Sequence, residues 1–242
     1  MKMHILITND DGIESPCLLP LAKWAQQFGE VTIVAPKVEQ SAKSHGIEIR
    51  QAFEVKKLEL EDVEAYTVDS TPADCVRFAV LGLGKEFDLV LSGINRGLNL
   101  GLDIMYSGTV SAVMEADAMG IPAVALSAPP KHYIDAISDL DTVVSFFREN
   151  RLMEQCSIYN VNIPAGHKGI RITCQGGRYY SDEYHAQGQD LYLPKGLDVF
   201  RHAGNYDRDT DAVLHGGYIS IMPLNNNKTN MEVYRELTRL NP

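Results

Sequence analysis

The chain has 242 residues, a hydrophobic content of 45% and a formal net charge of −10 at pH 7, a composition typical of a globular protein with a sizeable core. The negative charge and the lack of a basic cluster argue against binding to duplex nucleic acid, because such binding depends on Lys and Arg contacts to phosphates. No apolar run is long enough for a membrane span, and the four cysteines lack paired or metal-like spacing, so we expect a cytoplasmic protein with reduced thiols and no membrane partner.

The first elements of the chain predict a parallel βαβ unit. Met3 to Thr8 is a short apolar run that indicates a buried strand. The apolar spacing of Pro16 to Phe28 indicates a helix with Ser15 as its N-cap and Gly29 at its end. Val31 to Ala35 indicates a second buried strand. Buried strands joined by a helix are typical of a parallel sheet that is covered on both faces.

The middle of the chain predicts an antiparallel excursion before the alternation of strand and helix resumes. Alternating apolar residues between Ile47 and Val68 indicate antiparallel strands. A helix is expected from Pro72 to Leu81 and a third buried parallel strand from Phe87 to Leu91. The stretch Ser92 to Val110 is rich in Gly and Asn and predicts a long loop, and loops of that length are usually functional.

The remaining pattern completes an α/β fold. The further predicted elements are a helix over Thr109–Met119, a strand over Pro122–Ser127, a helix over Tyr133–Phe147, a strand over Ser157–Ile163, a strand over Gly217–Pro223 and a helix over Met231–Leu240. We expect a Rossmann-like, mostly parallel sheet with helices on both faces, plus the antiparallel excursion and extended C-terminal segments. The prediction is a single domain over residues 1–242, with a core at 1–164 and an extended, oligomerising segment with a terminal helix at 165–242.

Asp10 and Asp11 follow directly after the first predicted strand, at the sheet edge where open α/β folds bind ligands. Adjacent carboxylates raise each other's pKa unless a cation lies between them. Hard divalent cations take oxygen ligands, and no pair of histidines has zinc-ligand spacing, so the pattern favours Mg²⁺, Mn²⁺ or Ca²⁺ over zinc. The alternative is that one carboxylate caps the next helix and the other is a solvated loop residue.

Ser41 and Asn95 lie after the second and third parallel strands, so the same edge of the sheet should carry them. Together with the acidic pair they would form an all-oxygen, partly hydrated metal site. Taken singly, each is more often a turn residue, because Ser and Asn form local hydrogen bonds with the backbone. His45, on the same loop as Ser41, is a weaker candidate for a substrate contact.

Ser107, Gly108 and Thr109 begin a predicted helix at this edge. The N-terminus of a helix presents unpaired amides and a positive dipole end, and neighbouring hydroxyls can add donors to a phosphate. The alternative is an ordinary N-cap. Asn99 is placed to reach the same phosphate.

Several stretches of the chain form a specific set of motifs. They are TNDDGI at Thr8–Ile13, AP and QSAKSH within Ala35–His45, STPADCV at Ser70–Val76, SGINRGLNLGLDIMYSGTVSAVMEA at Ser92–Ala116, NVNIP at Asn160–Pro164 and GYISIMPL at Gly217–Leu224. This set resembles the SurE (survival protein E) family of metal-dependent nucleotidases. The resemblance covers nearly the whole chain. Departures from the family pattern are Cys17 and Ala42, which stand where the family usually has glycine, and the C-terminal Gly-Thr-Asp pattern, which appears here as Asp209, Thr210 and Asp211.

The resemblance implies a phosphomonoesterase that acts on nucleoside 5′- and 3′-monophosphates, with exopolyphosphatase activity as a further expectation. It implies one divalent cation per subunit, Mg²⁺ or Mn²⁺ foremost, held at the positions matching Asp10, Asp11, Ser41 and Asn95, with the aspartates as the catalytic pair. It also implies a Rossmann-like core and a homodimer or tetramer in which C-terminal segments exchange between subunits.

Two other classes of protein share part of this pattern. A phospho-receiver domain also has an acidic pair after its first strand, but Asn95 follows the third strand here where a phospho-acceptor Asp is needed. A dinucleotide-binding module would have G-x-G-x-x-G where this chain has Asn9 to Gly12. A non-catalytic phospho-receiver or nucleotide-binding regulatory module is therefore the alternative to an enzyme.

Overall fold

The structure, a computed structural model, describes residues 2–240, so residues 1, 241 and 242 of the predicted domain lie outside it. The strands are β1 (Met3–Thr8), β2 (Gly29–Pro36), β3 (Val55–Leu60), β4 (Val63–Val68), β5 (Leu89–Arg96), β6 (Ala123–Ala128), β7 (Ile158–Asn162), β8 (Ile170–Ile172), β9 (Tyr180–Gly188), β10 (Leu191–Asp198) and β11 (Ile219–Pro223). The α-helices are α1 (Leu18–Ala25), α2 (Pro72–Arg77), α3 (Gly108–Ala118), α4 (Leu140–Glu149), α5 (Leu152–Gln155), α6 (Asp209–Asp211) and α7 (Met231–Leu237).

The main sheet has nine strands in the order β3-β4-β2-β1-β5-β6-β7-β11-β8. Strands β4, β2, β1, β5, β6 and β7 run parallel to one another, whereas β3 is antiparallel to β4 and β11 is antiparallel to β7. The predicted α/β fold, with its mostly parallel sheet and antiparallel excursion, is therefore confirmed. Because the parallel strands end on the same side, the loops that follow β1, β2 and β5 meet at one edge, which we call the rim.

Helices cover both faces of this sheet. On β1, Ile5 and Ile7 pack in the cluster that contains residues of α1 and α4, whereas Leu6 packs in the cluster that contains residues of α2 and α3. All three side chains are fully buried. Their alternation follows from the two-residue period of a strand, and burial on both faces explains why the sequence of β1 is a continuous apolar run.

Strand β5 is longer than the sequence predicts, and this places Asn95 in a strand rather than in a loop. After an irregularity between Ser92 and Asn95, the pairing with β6 resumes, with Asn95 opposite Ser127 and Arg96 opposite Ala128. The predicted loop from Ser92 therefore begins only after Arg96. Polar residues such as Asn95 lower the strand propensity of this stretch, and the pairing partner that overrides it is remote in sequence.

The first helix is shorter than predicted. Its N-cap is Cys17, which has no side-chain capping bond, rather than Ser15. The backbone N–H of Ser15 instead donates to the Gly12 carbonyl oxygen at 3.0 Å, and that of Leu18 to the Ser15 carbonyl oxygen at 3.1 Å. Residues 12–17 thus form consecutive turns. The helix starts at Leu18, whose side chain is part of the buried apolar cluster on this face of the sheet.

The extended segment after residue 164 divides into strands that join the main sheet and parts that leave it. Strands β8 and β11 complete one edge of the sheet, whereas β9 and β10 form a separate hairpin. On that hairpin Tyr184 is 71% exposed and Leu191 and Tyr192 are each 65% exposed, and α7 has no buried residue. Within residues 2–240, every helix is too short or too polar to cross a bilayer.

Candidate active site

Three loops of the rim are joined by backbone hydrogen bonds. The loop after β2 lies against the acidic pair, because the N–H of Gln40 donates to the Asp10 carbonyl oxygen at 2.7 Å. The same loop reaches the segment before α3, where the N–H of Ser44 donates to the Tyr106 carbonyl oxygen at 3.0 Å. The structure therefore brings the loops that carry the predicted metal ligands and the predicted phosphate site into direct contact.

Asn9, to which the sequence pattern assigns no role, closes the acidic loop. Its Nδ2 donates to the Gly12 carbonyl oxygen at 3.0 Å, and the Gly12 N–H donates to its Oδ1 at 3.1 Å. Gly12 has φ +94°, and a Cβ there would lie 3.2 Å from the Val38 carbonyl carbon. The signal in the sequence is Asn-x-x-Gly, a spacing typical of an Asn side chain that bonds to the backbone of its own turn.

Asp10 is buried against the start of α3. It is only 4% exposed, and the Thr109 Oγ1 donates to its Oδ1 at 2.5 Å. A Cβ at Gly108 would lie 2.7 Å from the Asp10 Cβ, so only glycine allows this approach. Burial raises the pKa of Asp10, while the Thr109 hydroxyl and the first amides of α3 oppose that rise. The predicted metal ligand and the predicted phosphate site are therefore in van der Waals contact.

Asp11 is only partly buried and lies beside the end of β5. The backbone N–H of Arg96 donates to its Oδ2 at 3.0 Å. The pKa of Asp11 is raised to about 6, chiefly by burial and also by the carboxylates of Asp10 and Glu39, against the hydrogen bond from Arg96. A carboxylate in this environment gains most from a cation, because the cation offsets both the burial and the repulsion.

Ser41 and Asn95 are less constrained than the aspartates. Ser41 is exposed, and its hydroxyl donates to Glu39 Oε1 at 2.7 Å rather than to either aspartate. Asn95 is half-buried at the end of β5, and its Nδ2 donates to the Gly97 carbonyl oxygen at 3.0 Å. That bond orients the amide, and the Asn95 Oδ1 has no hydrogen-bond donor within residues 2–240.

The donors at the rim suit a hard cation. In the part of the chain that the structure describes, no group of three His, Cys, Asp or Glu side chains is arranged to hold a metal. The predicted ligands are carboxylate oxygens of Asp10 and Asp11 with neutral oxygens of Ser41 and Asn95. An oxygen-only set with few carboxylates matches a partly hydrated Mg²⁺ or Mn²⁺ and not a zinc centre.

The predicted phosphate contacts are partly engaged within the protein. The Ser107 hydroxyl caps α3 by accepting a bond from the Val110 N–H at 3.1 Å. The Thr109 hydroxyl bonds to Asp10, and the backbone amides of Gly108 and Thr109 also favour the Asp10 carboxylate. A phosphate at this helix end would therefore share these amides with Asp10.

Asn99 belongs to a buried network of amide side chains. Its Nδ2 donates to Ser127 Oγ at 2.8 Å, and its backbone N–H donates to Asn162 Oδ1 at 2.8 Å. Its carbonyl oxygen accepts bonds from the Asn160 Nδ2 at 2.8 Å and the Asn162 Nδ2 at 2.9 Å. These bonds anchor the loop after β5 to β6 and β7, and they leave a second N–H of the Asn99 amide as a potential phosphate contact.

His45 contacts a residue of α3. Its Nε2 lies 2.8 Å from Glu115 Oε2, and Arg77 Nη1 lies 2.9 Å from the other carboxylate oxygen. Glu115 lies within the motif Ser92–Ala116, but the sequence pattern assigns it no role, because a lone glutamate inside a helix gives no local sign of its partners. The prediction that His45 contacts a substrate remains a prediction.

Known proteins of one family are similar to this chain in sequence and in structure. The family model for "Survival protein SurE" matches residues 5–182. The 5′-nucleotidase SurE of Clostridium beijerinckii is 37% identical over 255 residues, covering 98% of this chain and 99% of that protein. The 5′-nucleotidase SurE of Pseudothermotoga lettingae is 39% identical, covering 92% of this chain and 88% of that protein. The crystal structure of the SurE protein from Aquifex aeolicus has a TM-score of 0.81 and 34% identity, covering 99% of this chain and 100% of that one.

Proposed function

This chain belongs to the SurE family, and we propose that it is a 5′-nucleotidase, a phosphoric monoester hydrolase that converts nucleoside monophosphates to nucleoside and phosphate. The observation that carries the proposal is the contact between Asp10 and the first turn of α3, which combines acidic oxygens with an anion-binding helix end. The curated relatives named 5′-nucleotidase SurE support the reaction class. We extend the proposal to 3′-monophosphates and to the terminal phosphate of polyphosphate.

The proposed enzyme depends on one divalent cation per subunit, Mg²⁺ or Mn²⁺, held by Asp10, Asp11, Ser41 and Asn95. Two observations support this fit. The pKa of Asp11 is raised, and the bond from Asn95 Nδ2 to the Gly97 carbonyl oxygen fixes the orientation of the amide that carries Asn95 Oδ1. When bound, such a cation polarises a phosphate oxygen and lowers the pKa of a bound water.

The side chains of this site hold the substrate phosphate and keep the reacting groups in place. The backbone amides of Gly108 and Thr109, which also favour the Asp10 carboxylate, donate to a non-bridging phosphate oxygen, helped by the positive end of the α3 dipole. Ser107 fixes the position of these amides as the N-cap. Asn99 donates its remaining N–H to the same phosphate. Asp10 and Asp11 are the catalytic carboxylates, and the Thr109 hydroxyl holds Asp10 in a single orientation.

We propose that the enzyme is a homodimer or tetramer, with contacts supplied by the C-terminal segment. Leu193 of β10 is 57% exposed, Leu237 of α7 is 51% exposed and Leu240 is 73% exposed. Exposed apolar residues on an isolated hairpin and a helix without buried residues are the kind of surface that another subunit covers.

The experiment is a phosphate-release assay on AMP, 3′-AMP and a short polyphosphate, with Mg²⁺, Mn²⁺ or EDTA. We expect release from the nucleotides that requires the cation and disappears in EDTA. Asp135→Ala, which changes an exposed aspartate outside the site, serves as the control variant. Equilibrium binding of a nucleotide without turnover under every metal condition would instead indicate a regulatory module.

A further inference from the structure

Ser41 lies on the loop of residues 37–46, which we call the Ser41 loop. Two residues of this loop have an unfavourable backbone conformation. Ala42 has φ +59° and Ser44 has φ +57°, both in the left-handed region. Residues with a Cβ rarely adopt this conformation, because the Cβ approaches the following carbonyl oxygen. Glycine adopts it readily, and asparagine and aspartate do so more often than other residues. Ala42 is one of the positions at which the chain departs from the family's usual glycine. The Ser41 loop therefore needs contacts elsewhere to hold its shape.

Packing supplies little of that support. Ser41, Ala42, Lys43 and His45 are all exposed. The anchors of the loop are polar, and they include the Gln40 N–H, which donates to the Asp10 carbonyl oxygen at 2.7 Å, and the Ser44 hydroxyl, which donates to the Met105 carbonyl oxygen at 2.7 Å. A loop held by hydrogen bonds at the surface opens at lower free energy than one held by buried apolar contacts.

The side chain of His45 anchors the Ser41 loop to α3, while the Thr71 hydroxyl at the start of α2 donates to the Gly46 carbonyl oxygen at 2.7 Å. Its partner Glu115 lies on α3, seven residues after Gly108, on the helix face that starts at the rim. Glu115 is only 8% exposed, whereas the His45 side chain is 34% exposed. A buried carboxylate thus holds an exposed loop.

Arg77 fixes the orientation of Glu115. Each carboxylate oxygen has its own partner, His45 Nε2 at 2.8 Å and Arg77 Nη1 at 2.9 Å. The His45 contact, and after it the Arg77 contact, hold the pKa of Glu115 below its usual range against the burial that raises it. The carboxylate is therefore ionised at neutral pH and joins α2, α3 and the Ser41 loop.

We propose that Glu115 is a positioning residue that holds Ser41 at the rim, acting through His45, with Arg77 fixing its carboxylate. The same helix supports Asp10 at its first turn, so α3 sets the position of both sides of the site. This inference rests on the proposed function in one respect, that Ser41 is a metal ligand. Loop order itself can be measured without any metal or substrate.

The first test is amide hydrogen exchange of the metal-free protein. We expect exchange in residues 37–46 to rise about tenfold or more in Glu115→Ala and in His45→Ala, because loss of the anchor releases the strained loop. The His45 variant removes an exposed side chain and so keeps the test valid if Glu115→Ala unfolds. The matched control is Glu64→Gln, because Glu64 also bonds to two basic side chains, Lys57 and Lys85, at the opposite end of the strands.

The second test is Mn²⁺ affinity by calorimetry together with kcat and KM on AMP. We expect Glu115→Ala to weaken Mn²⁺ binding about tenfold, Glu115→Gln to weaken it less, and Glu64→Gln to change nothing. Adding Ala42→Gly to Glu115→Ala should restore about threefold to fivefold of the loss, because glycine adopts the left-handed conformation without strain. A merely structural role for Glu115 would lower thermal stability without this rescue.

The outcomes separate this inference from the proposed function. Suppose that the wild type neither binds Mn²⁺ nor hydrolyses AMP, but the Glu115 variants show the expected rise in loop exchange. That result would support the role of Glu115 as an anchor and contradict the proposed metal site. Hydrolysis by the wild type together with unchanged loop exchange in Glu115→Ala and His45→Ala would overturn the anchor.

Discussion

The two sides of the rim are built by different forces. On one side Asp10, Gly108 and Thr109 are buried and in contact, so the core packing sets their positions. On the other side Ser41 is exposed, on a loop that contains two residues in the left-handed backbone conformation and that hydrogen bonds hold in place. A substitution on the buried side should therefore lower both stability and activity, whereas one on the exposed side should lower activity alone.

Asp11 gives the largest expected effect. Asp11→Ala removes a carboxylate whose charge the proposed cation needs, so we expect kcat/KM on AMP to fall by roughly 10²–10³-fold. Thermal unfolding in EDTA should show no loss of stability, because the deleted charge is repelled by Asp10 and Glu39. Metal-dependent activity at the wild-type level in this variant would exclude Asp11 from the site.

Gly108→Ala tests the buried side and should have the next largest effect. The new Cβ would lie 2.7 Å from the Asp10 Cβ, so α3 and the acidic loop must move apart. We expect a loss of about 1–3 kcal/mol in the free energy of unfolding, together with a fall of roughly 10²-fold in kcat/KM. Urea unfolding and steady-state kinetics measure the two effects.

The control for that substitution is Gly177→Ala, where a Cβ would have no heavy atom within 4 Å. It should leave both quantities unchanged. If Gly108→Ala lowered activity without any loss of stability, the two sides of the rim would not differ in the way that burial implies.

Ser41→Ala tests the exposed side and should have a smaller effect confined to function. We expect the Mn²⁺ affinity to weaken by about fivefold to tenfold, since one neutral ligand is lost, with a melting temperature equal to that of the wild type. Calorimetry and circular dichroism provide the measurements. Equal Mn²⁺ affinities in the variant and the wild type would show that the hydroxyl serves only its bond to Glu39.

The smallest expected effect is a pH-dependent change in stability. The folded, metal-free protein has a pKa of about 6 for Asp11 against 3.8 for an ordinary aspartate. The folded state binds this proton more tightly than the unfolded state does. Ionisation of the carboxyl therefore lowers the free energy of unfolding as the pH rises from about 4 to about 6.

Asp11→Asn removes that penalty. Its advantage over the wild type in EDTA should be absent near pH 4 and reach about 1 kcal/mol, or roughly 2–4 °C in melting temperature, above pH 7, after allowance for partial exposure. An advantage that does not change with pH would show that Asp11 titrates normally in the fold.

Local patterns were sufficient for the parts of the fold that are periodic and buried. The apolar run of β1 and the helix start at Ser107 were predictable, because burial on both faces and N-capping leave strong local signals. The extension of β5 through Asn95 was not predictable, since it depends on pairing with Ser127. The start of α1 after Cys17 was also missed, because Ser15 and Pro16 form a capping pattern that a preceding turn overrides.

The sequence by itself determined the α/β class, the acidic pair at the end of the first strand and the set of candidate oxygen donors. These follow from hydrophobic period and from the position of polar residues after strands, which are local properties. Only the tertiary structure decided that Asp10 is buried against Gly108, that Asn9 closes its own loop and that His45 is bound by Glu115. Glu115 is 70 residues from His45, and contacts of that kind arise from how layers pack, which no short pattern encodes.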